Sequence, residues 1–159
     1  MTGAHHPAEP TTRAELIIER LLDAPRELVF EVWTDPRHLI HWWGPKDFLV
    51  PHIDMDVRTG GRYRICIQAP DGTAYWMSGV YRDVTPPERL EYTFAWDRAD
   101  GTLGHEMLIS VRFEARGNRT AMLFHQTLFD NVKERDDHNE GWSECFDRLE
   151  QFLATLREA

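Results

Sequence analysis

The stretch that decides the fold runs from residue 142: Trp142-Ser143-Glu144-Cys145-Phe146-Asp147-Arg148-Leu149-Glu150-Gln151-Phe152-Leu153-Ala154-Thr155-Leu156. Trp142, Phe146, Leu149, Leu153 and Leu156 recur at spacings of 4, 3, 4 and 3. That period makes an amphipathic helix, about two dozen residues long with its flanks, whose apolar stripe must lie against something. The residues just before it offer only strands. Thr120 to Leu128 and His105 to Phe113 form a hairpin through Arg116-Gly117-Asn118, with Ile109, Val111, Phe113, Met122 and Phe124 on one face.

Working outward, Leu90, Tyr92, Phe94 and Trp96 alternate with Glu91, Thr93 and Ala95, the clearest strand period in the chain. Pro86-Pro87 separates it from a strand over Tyr75 to Val84, and Pro70-Asp71-Gly72-Thr73 turns back to Arg62 to Ile67, where Tyr63, Ile65 and Ile67 share a face. Thr59-Gly60-Gly61 leads back to a strand over Phe48 to Val57. Ahead of these lie two short helices. One starts at Asp23-Ala24-Pro25, with Asp23 read as the cap, and the other at Asp35-Pro36, ending at Gly44-Pro45. A first strand spans Glu15 to Leu22.

The order is therefore strand, two short helices, six strands, long helix. Hairpin-length loops make the sheet antiparallel, and only the C-terminal helix can cover its apolar face. This predicts an α+β helix-grip fold: a curved antiparallel β-sheet wrapped around a long C-terminal α-helix, with two short helices after the first strand. Residues 1–13 read as a flexible tail and residues 14–158 as a single domain. Between sheet and helix, the rings either fill the space or leave a cavity; the polar tips of Tyr63, Tyr92 and Trp142, which need partners, favour a cavity.

Composition narrows the function classes. Lys plus Arg is 18 against 27 for Asp plus Glu, a net charge of −9, so nucleic acid and anionic membranes are not expected partners. No apolar run is long enough to span a membrane, and the polar N-terminus with Pro7 and Pro10 lacks the apolar region of a signal peptide. Cys66 and Cys145, without metal-type spacing, read as buried free thiols in a reducing cytoplasm.

Several segments together resemble a known family. They are Ala24-Pro25 with Glu27 and Val29, Thr34-Asp35-Pro36, Trp42-Trp43-Gly44-Pro45, Asp56-Val57-Arg58-Thr59-Gly60-Gly61, Pro70-Asp71-Gly72, Gly79-Val80-Tyr81, Pro86 to Leu90, and Gly141-Trp142. In order and spacing, from about residue 15 to 156, they resemble the START-like (SRPBCC) superfamily, specifically its activator of Hsp90 ATPase homologue 1-like (AHSA1-type) branch. The resemblance implies the helix-grip fold and a protein that binds or transforms hydrophobic small molecules, some relatives looking like polyketide cyclases. The chaperone-activating namesake has a further N-terminal domain that is not expected here, so its role is not carried over. Where relatives often carry His near the end of the last strand, this sequence has Gln126, with His125 on the opposite face.

The expected ligand site is the inner face: Trp43, Tyr63, Ile65, Met77, Tyr81, Tyr92, Phe94, Trp96, Ile109, Met122, Phe124, Gln126, Trp142, Phe146 and Leu149. One of Trp42 and Trp43 could form the cavity mouth while the other plugs the sheet's end. No cofactor or metal is expected: His38 and His41 are three apart but lack a third ligand nearby, and His52, Asp54 and Asp56 read as the solvated face of an edge strand. Asp136-Asp137-His138 reads as the acidic start of the last helix. No nucleophile motif or inward acid/base pair is visible, and Glu106 would point inward only on a register slip. The leading reading is a binding module for a hydrophobic or aromatic metabolite; the alternatives are a cyclase- or hydrolase-type enzyme in the same cavity, and a chaperone-linked or stress-response interaction protein. A homodimer would form through the sheet edge or exposed turns.

Overall fold

In a computed structural model, residues 14–158 are described. The expected tail, residues 1–13, lies outside them. Seven strands form one antiparallel sheet: β1 (Leu16–Leu22), β2 (Leu49–Met55), β3 (Arg62–Gln68), β4 (Ala74–Thr85), β5 (Arg89–Trp96), β6 (Met107–Arg116) and β7 (Arg119–Thr127). Two short helices, α1 (Arg26–Thr34) and α2 (Pro36–Leu39), follow β1, and a 27-residue helix, α3 (Val132–Glu158), closes the chain. The sheet order is β1-β7-β6-β5-β4-β3-β2, so β2 to β7 form a meander and β1 closes onto β7.

Period-two alternation sets the two faces. Along β7, Thr120, Met122, Phe124 and Gln126 are buried, while Ala121, Leu123 and His125 between them are less so. Register carries that parity across the sheet: Phe124 pairs with Ile18 on one side and Val111 on the other, and Ile109 pairs with Tyr92. Against this face α3 buries Trp142, Cys145, Phe146, Leu149 and Leu153. Each such side chain contributes about 1.5–3 kcal/mol relative to exposure. The ring of Phe124 meets Trp142 at 4.9 Å and Phe146 at 5.2 Å, so the helix is seated on β7, beside the β1 edge.

The sheet bends where β4 and β5 slip register between Tyr81 and Asp83. Gly79 sits beside this irregularity, and a Cβ there would overlap the Thr93 carbonyl. The Thr93 hydroxyl accepts the Val80 amide at 2.8 Å, so the close approach of the two strands is itself hydrogen-bonded.

Four local expectations are corrected, the first being that α2 stops at Leu39 instead of running to Gly44, the chain continuing in turns from Ile40. Asp23 does not cap α1; Pro25 holds the N-cap position without a side-chain bond, and Asp23 instead accepts from Arg157 at 2.7 Å. The long helix starts before Asp136, because Asn131 Oδ1 accepts the Glu134 amide at 2.8 Å and caps it there. The strand expected from His105 begins at Met107, since His105 is held off the sheet by Asp130 (3.1 Å). By contrast Asp35 does cap α2, accepting from the Arg37 amide at 2.9 Å; bonds from Arg37 hold its carboxyl down at about 2.

Candidate functional site

A cavity of about 820 Å³ opens between the far ends of β3, β4 and β5 and the N-terminal half of α3. Of the fifteen expected site residues, Trp43, Met77, Phe94, Trp96 and Trp142 line it. They are joined by Phe48, Ile67, Tyr75, Cys145 and His138, which the inner-face selection had left out. Ile67 and Tyr75 pair across β3 and β4 and extend the same inward face by one step, so the alternation already contained them. His138 lies four residues before Trp142 and extends the helix stripe by one turn. The mouth is bounded by Ala99, Gly101, Glu134 and Asp137.

The other expected residues sit elsewhere. Tyr63, Ile65, Tyr81 and Tyr92 gather with Trp33 and Leu39 around a pinhole of about 10 Å³, below the size of any organic ligand. There Tyr63 donates to the Thr93 carbonyl at 2.7 Å, and burial pushes the phenols of Tyr63, Tyr81 and Tyr92 far up. Ile109, Met122, Phe124, Phe146 and Leu149 are fully buried in the sheet–helix core. Trp42 and Trp43 divide the roles: Trp42 is fully buried, its indole donating to Val32 O at 3.0 Å, while Trp43 faces the cavity with its N–H on Met77 Sδ at 3.2 Å.

Gln126 lines no cavity but organises its polar corner. The Trp142 indole N–H donates to Gln126 Oε1 at 2.9 Å. An indole can only donate, so the oxygen of the amide must face it. That same oxygen lies 3.2 Å from His138 Nδ1, which must therefore carry the proton. The remaining nitrogen, Nε2, accepts from the Trp96 indole at 3.0 Å. Desolvation pushes His138 down to about 4, so this imidazole is neutral at pH 7.

The rim is tied to the helix. Arg148 donates to the carbonyls of Gly44 and Pro45, both at 2.9 Å, and of Trp43 at 3.3 Å. The Lys46 amide donates to Glu144 at 3.0 Å. Cys145 donates to Trp42 O at 3.3 Å, and burial lifts its thiol to about 12, which makes it unreactive.

The remaining expected features lie away from the cavity. His38 meets Glu31 at 3.1 Å, and His41 stacks on Phe152, so the two imidazoles do not converge. Two mixed clusters have ligand-type atoms close together, Glu31 with Asp35 and His38, and His105 with Asp130 and Glu134. His52, Asp54 and Asp56 are exposed, His125 pairs with Glu15 on the outer face, and Glu106 points outward toward Arg82. Among the described residues no helix is long and apolar enough to cross a membrane.

Comparison with known proteins agrees with this architecture. An AHSA1 protein from Silicibacter pomeroyi superposes with a TM-score of 0.83 at 27% identity, over 89% of this chain and 99% of that one. A Rhizobium leguminosarum protein gives 0.76 at 28% identity, over 90% and 95% of the two chains. One from Chromobacterium violaceum gives 0.79 at 25% identity, over 86% and 94%. No curated protein sequence matches the chain. The family described as activator of Hsp90 ATPase homolog 1-like protein matches residues 23–154. With a sheet gripping its last helix, and with that match over most of its length, the chain belongs to the activator of Hsp90 ATPase homologue 1-like family of the START-like fold.

Proposed function

We propose that this protein binds an apolar, aromatic small molecule between β3–β5 and the start of α3, and holds it without transforming it. One observation carries the reading: a cavity of about 820 Å³ walled by Trp43, Phe94, Trp96 and Trp142. Ligand pockets fall at about 300–1,000 Å³, mostly apolar with a few polar groups, and here the deep polar group is His138. Support for holding over catalysis comes from protonation. An imidazole pushed down to about 4 is a weak base at neutral pH, and the tyrosines raised by burial are reluctant acids. The free thiols of Cys66 and Cys145 suit a reducing, cytoplasmic setting.

A thermal-shift screen with flat aromatic compounds tests the proposal. Gly141 lines the cavity, and a Cβ there meets only Pro45 Cγ at 3.8 Å, so Gly141→Phe is tolerated locally while carrying a ring into the space. Compounds that raise the melting temperature of the native protein are expected to leave that of Gly141→Phe unchanged. Absence of any shift across the screen, or equal shifts in the variant, would overturn the reading.

A further inference from the structure

The polar corner of the cavity specifies a ligand more closely than its aromatic walls do. We infer that the molecule bound here is neutral and carries a hydrogen-bond donor on its aromatic body, such as a phenol or an enol, and that His138 Nε2 is the atom that accepts from it. This rests on the binding reading above and narrows it.

The tautomer follows from three indole and amide groups. Trp142 fixes the Gln126 oxygen, that oxygen fixes the proton on His138 Nδ1, and Nε2 is left as a lone-pair acceptor occupied by Trp96 N–H at 3.0 Å. The two partners in that last bond differ in what they can do when separated. Trp96 stands half-buried at the end of β5, edge-on to Tyr75 and Phe94, and beside the cavity its N–H can turn to water. His138 is half-buried, packed against Phe94, Phe129 and Trp96, and that burial is what lowers its basicity. A ligand that enters beside Trp142 and takes the place of the Trp96 indole leaves Nε2, half-buried among these rings, in need of another donor. A ligand that donates to it restores the bond; one that cannot leaves it unpaired, a penalty worth about tenfold in affinity.

Charge excludes the obvious competitor. Glu134, Asp137 and Asp97 line the same cavity, Asp97 held by Arg64 at 2.7 Å and Asp137 by Lys133 at 2.9 Å. The lining cation is Arg98, and its guanidinium is turned to Leu103 O at 2.9 Å. His105, on the far side of Glu134, also meets Asp130 and does not reach the cavity lining. A carboxylate ligand would therefore lose hydration against a neutral imidazole, with no ion pair at Nε2 to offset it.

Calorimetric titration with four probes of one shape decides it: naphthalene, 2-naphthol, 2-methoxynaphthalene and 2-naphthoate, at neutral pH. The expected result is that naphthalene binds, 2-naphthol binds about tenfold more tightly than 2-methoxynaphthalene, and 2-naphthoate binds more weakly than naphthalene. In His138→Phe the advantage of 2-naphthol over 2-methoxynaphthalene should fall to near one while naphthalene still binds. Equal affinities for these two probes in the native protein, tight binding of 2-naphthoate, or an advantage that survives in a folded His138→Phe would overturn the inference and leave the binding reading standing. If naphthalene and its three derivatives all fail to bind, the binding reading itself falls. The native series alone is decisive even where the variant does not fold.

Discussion

At the residue scale, the chemistry of the site is set by groups that can only donate. Trp142 and Trp96 have one N–H each and no lone pair to offer, so the amide and imidazole between them have a single consistent arrangement. The neutral state of His138 has a consequence for stability. Its folded value, about 4, is depressed from 6.5, so the unfolded chain binds the proton more readily between those limits. Stability is thus full above pH 6.5 and is lost as pH falls toward 4, by up to roughly 3 kcal/mol for this group. Urea melts at pH 7 and pH 4.5 should show a smaller loss in His138→Phe than in the native protein; equal losses would show that His138 is charged when folded. The sequence made part of this corner legible. Strand parity put Gln126 on the inner face, but its effect on His138 depends on a helix residue distant in sequence, which no local period reveals.

At the scale of elements, every strand and helix was legible, because each carries a period of its own, most of them bounded by Gly or Pro: β5 by its four alternating apolar residues, α3 by its stripe. What slipped were the ends. Asp23 and Asn131 are equally good caps by residue type, yet Asp23 is drawn to Arg157 and Asn131 caps α3. Tertiary competition decides between them. The same competition makes the Trp43–Pro45 segment depend on α3. Arg148→Met keeps much of the stem but removes the guanidinium bonds to three rim carbonyls, of which that of Pro45 keeps the Phe48 amide at 3.1 Å. Unfolding free energy in urea should fall by about 1–3 kcal/mol, and naphthalene affinity should fall with it. Unchanged stability would mean that water replaces the guanidinium without loss.

At the scale of the whole molecule, the grip is solid at one end and hollow at the other. Around β1, β6 and β7, Leu149 and Leu153 share one buried cluster with Phe124, Met122 and Val111. At the far ends of β3 to β5, the same helix overlies the cavity. The sequence showed the aromatic inner face but not this division, since Tyr92 and Phe94 differ by one step on one strand and yet line a pinhole and a cavity respectively. Which rings leave room depends on where the helix stops touching the sheet. Amide exchange should therefore be faster in the first turns of α3, around His138, than around Leu149, and saturating 2-naphthol should slow the former selectively; uniform protection along α3 would contradict a hollow end. The division also sorts the indoles optically. Trp33 and Trp42 are sealed in apolar surroundings, whereas Trp43, Trp76, Trp96 and Trp142 line the cavity. Trp33 and Trp42 lie 5.9 and 5.5 Å from Trp43, so excitation of the sealed pair also drains into the wall set, and the fold carries its own spectroscopic reporter of occupancy.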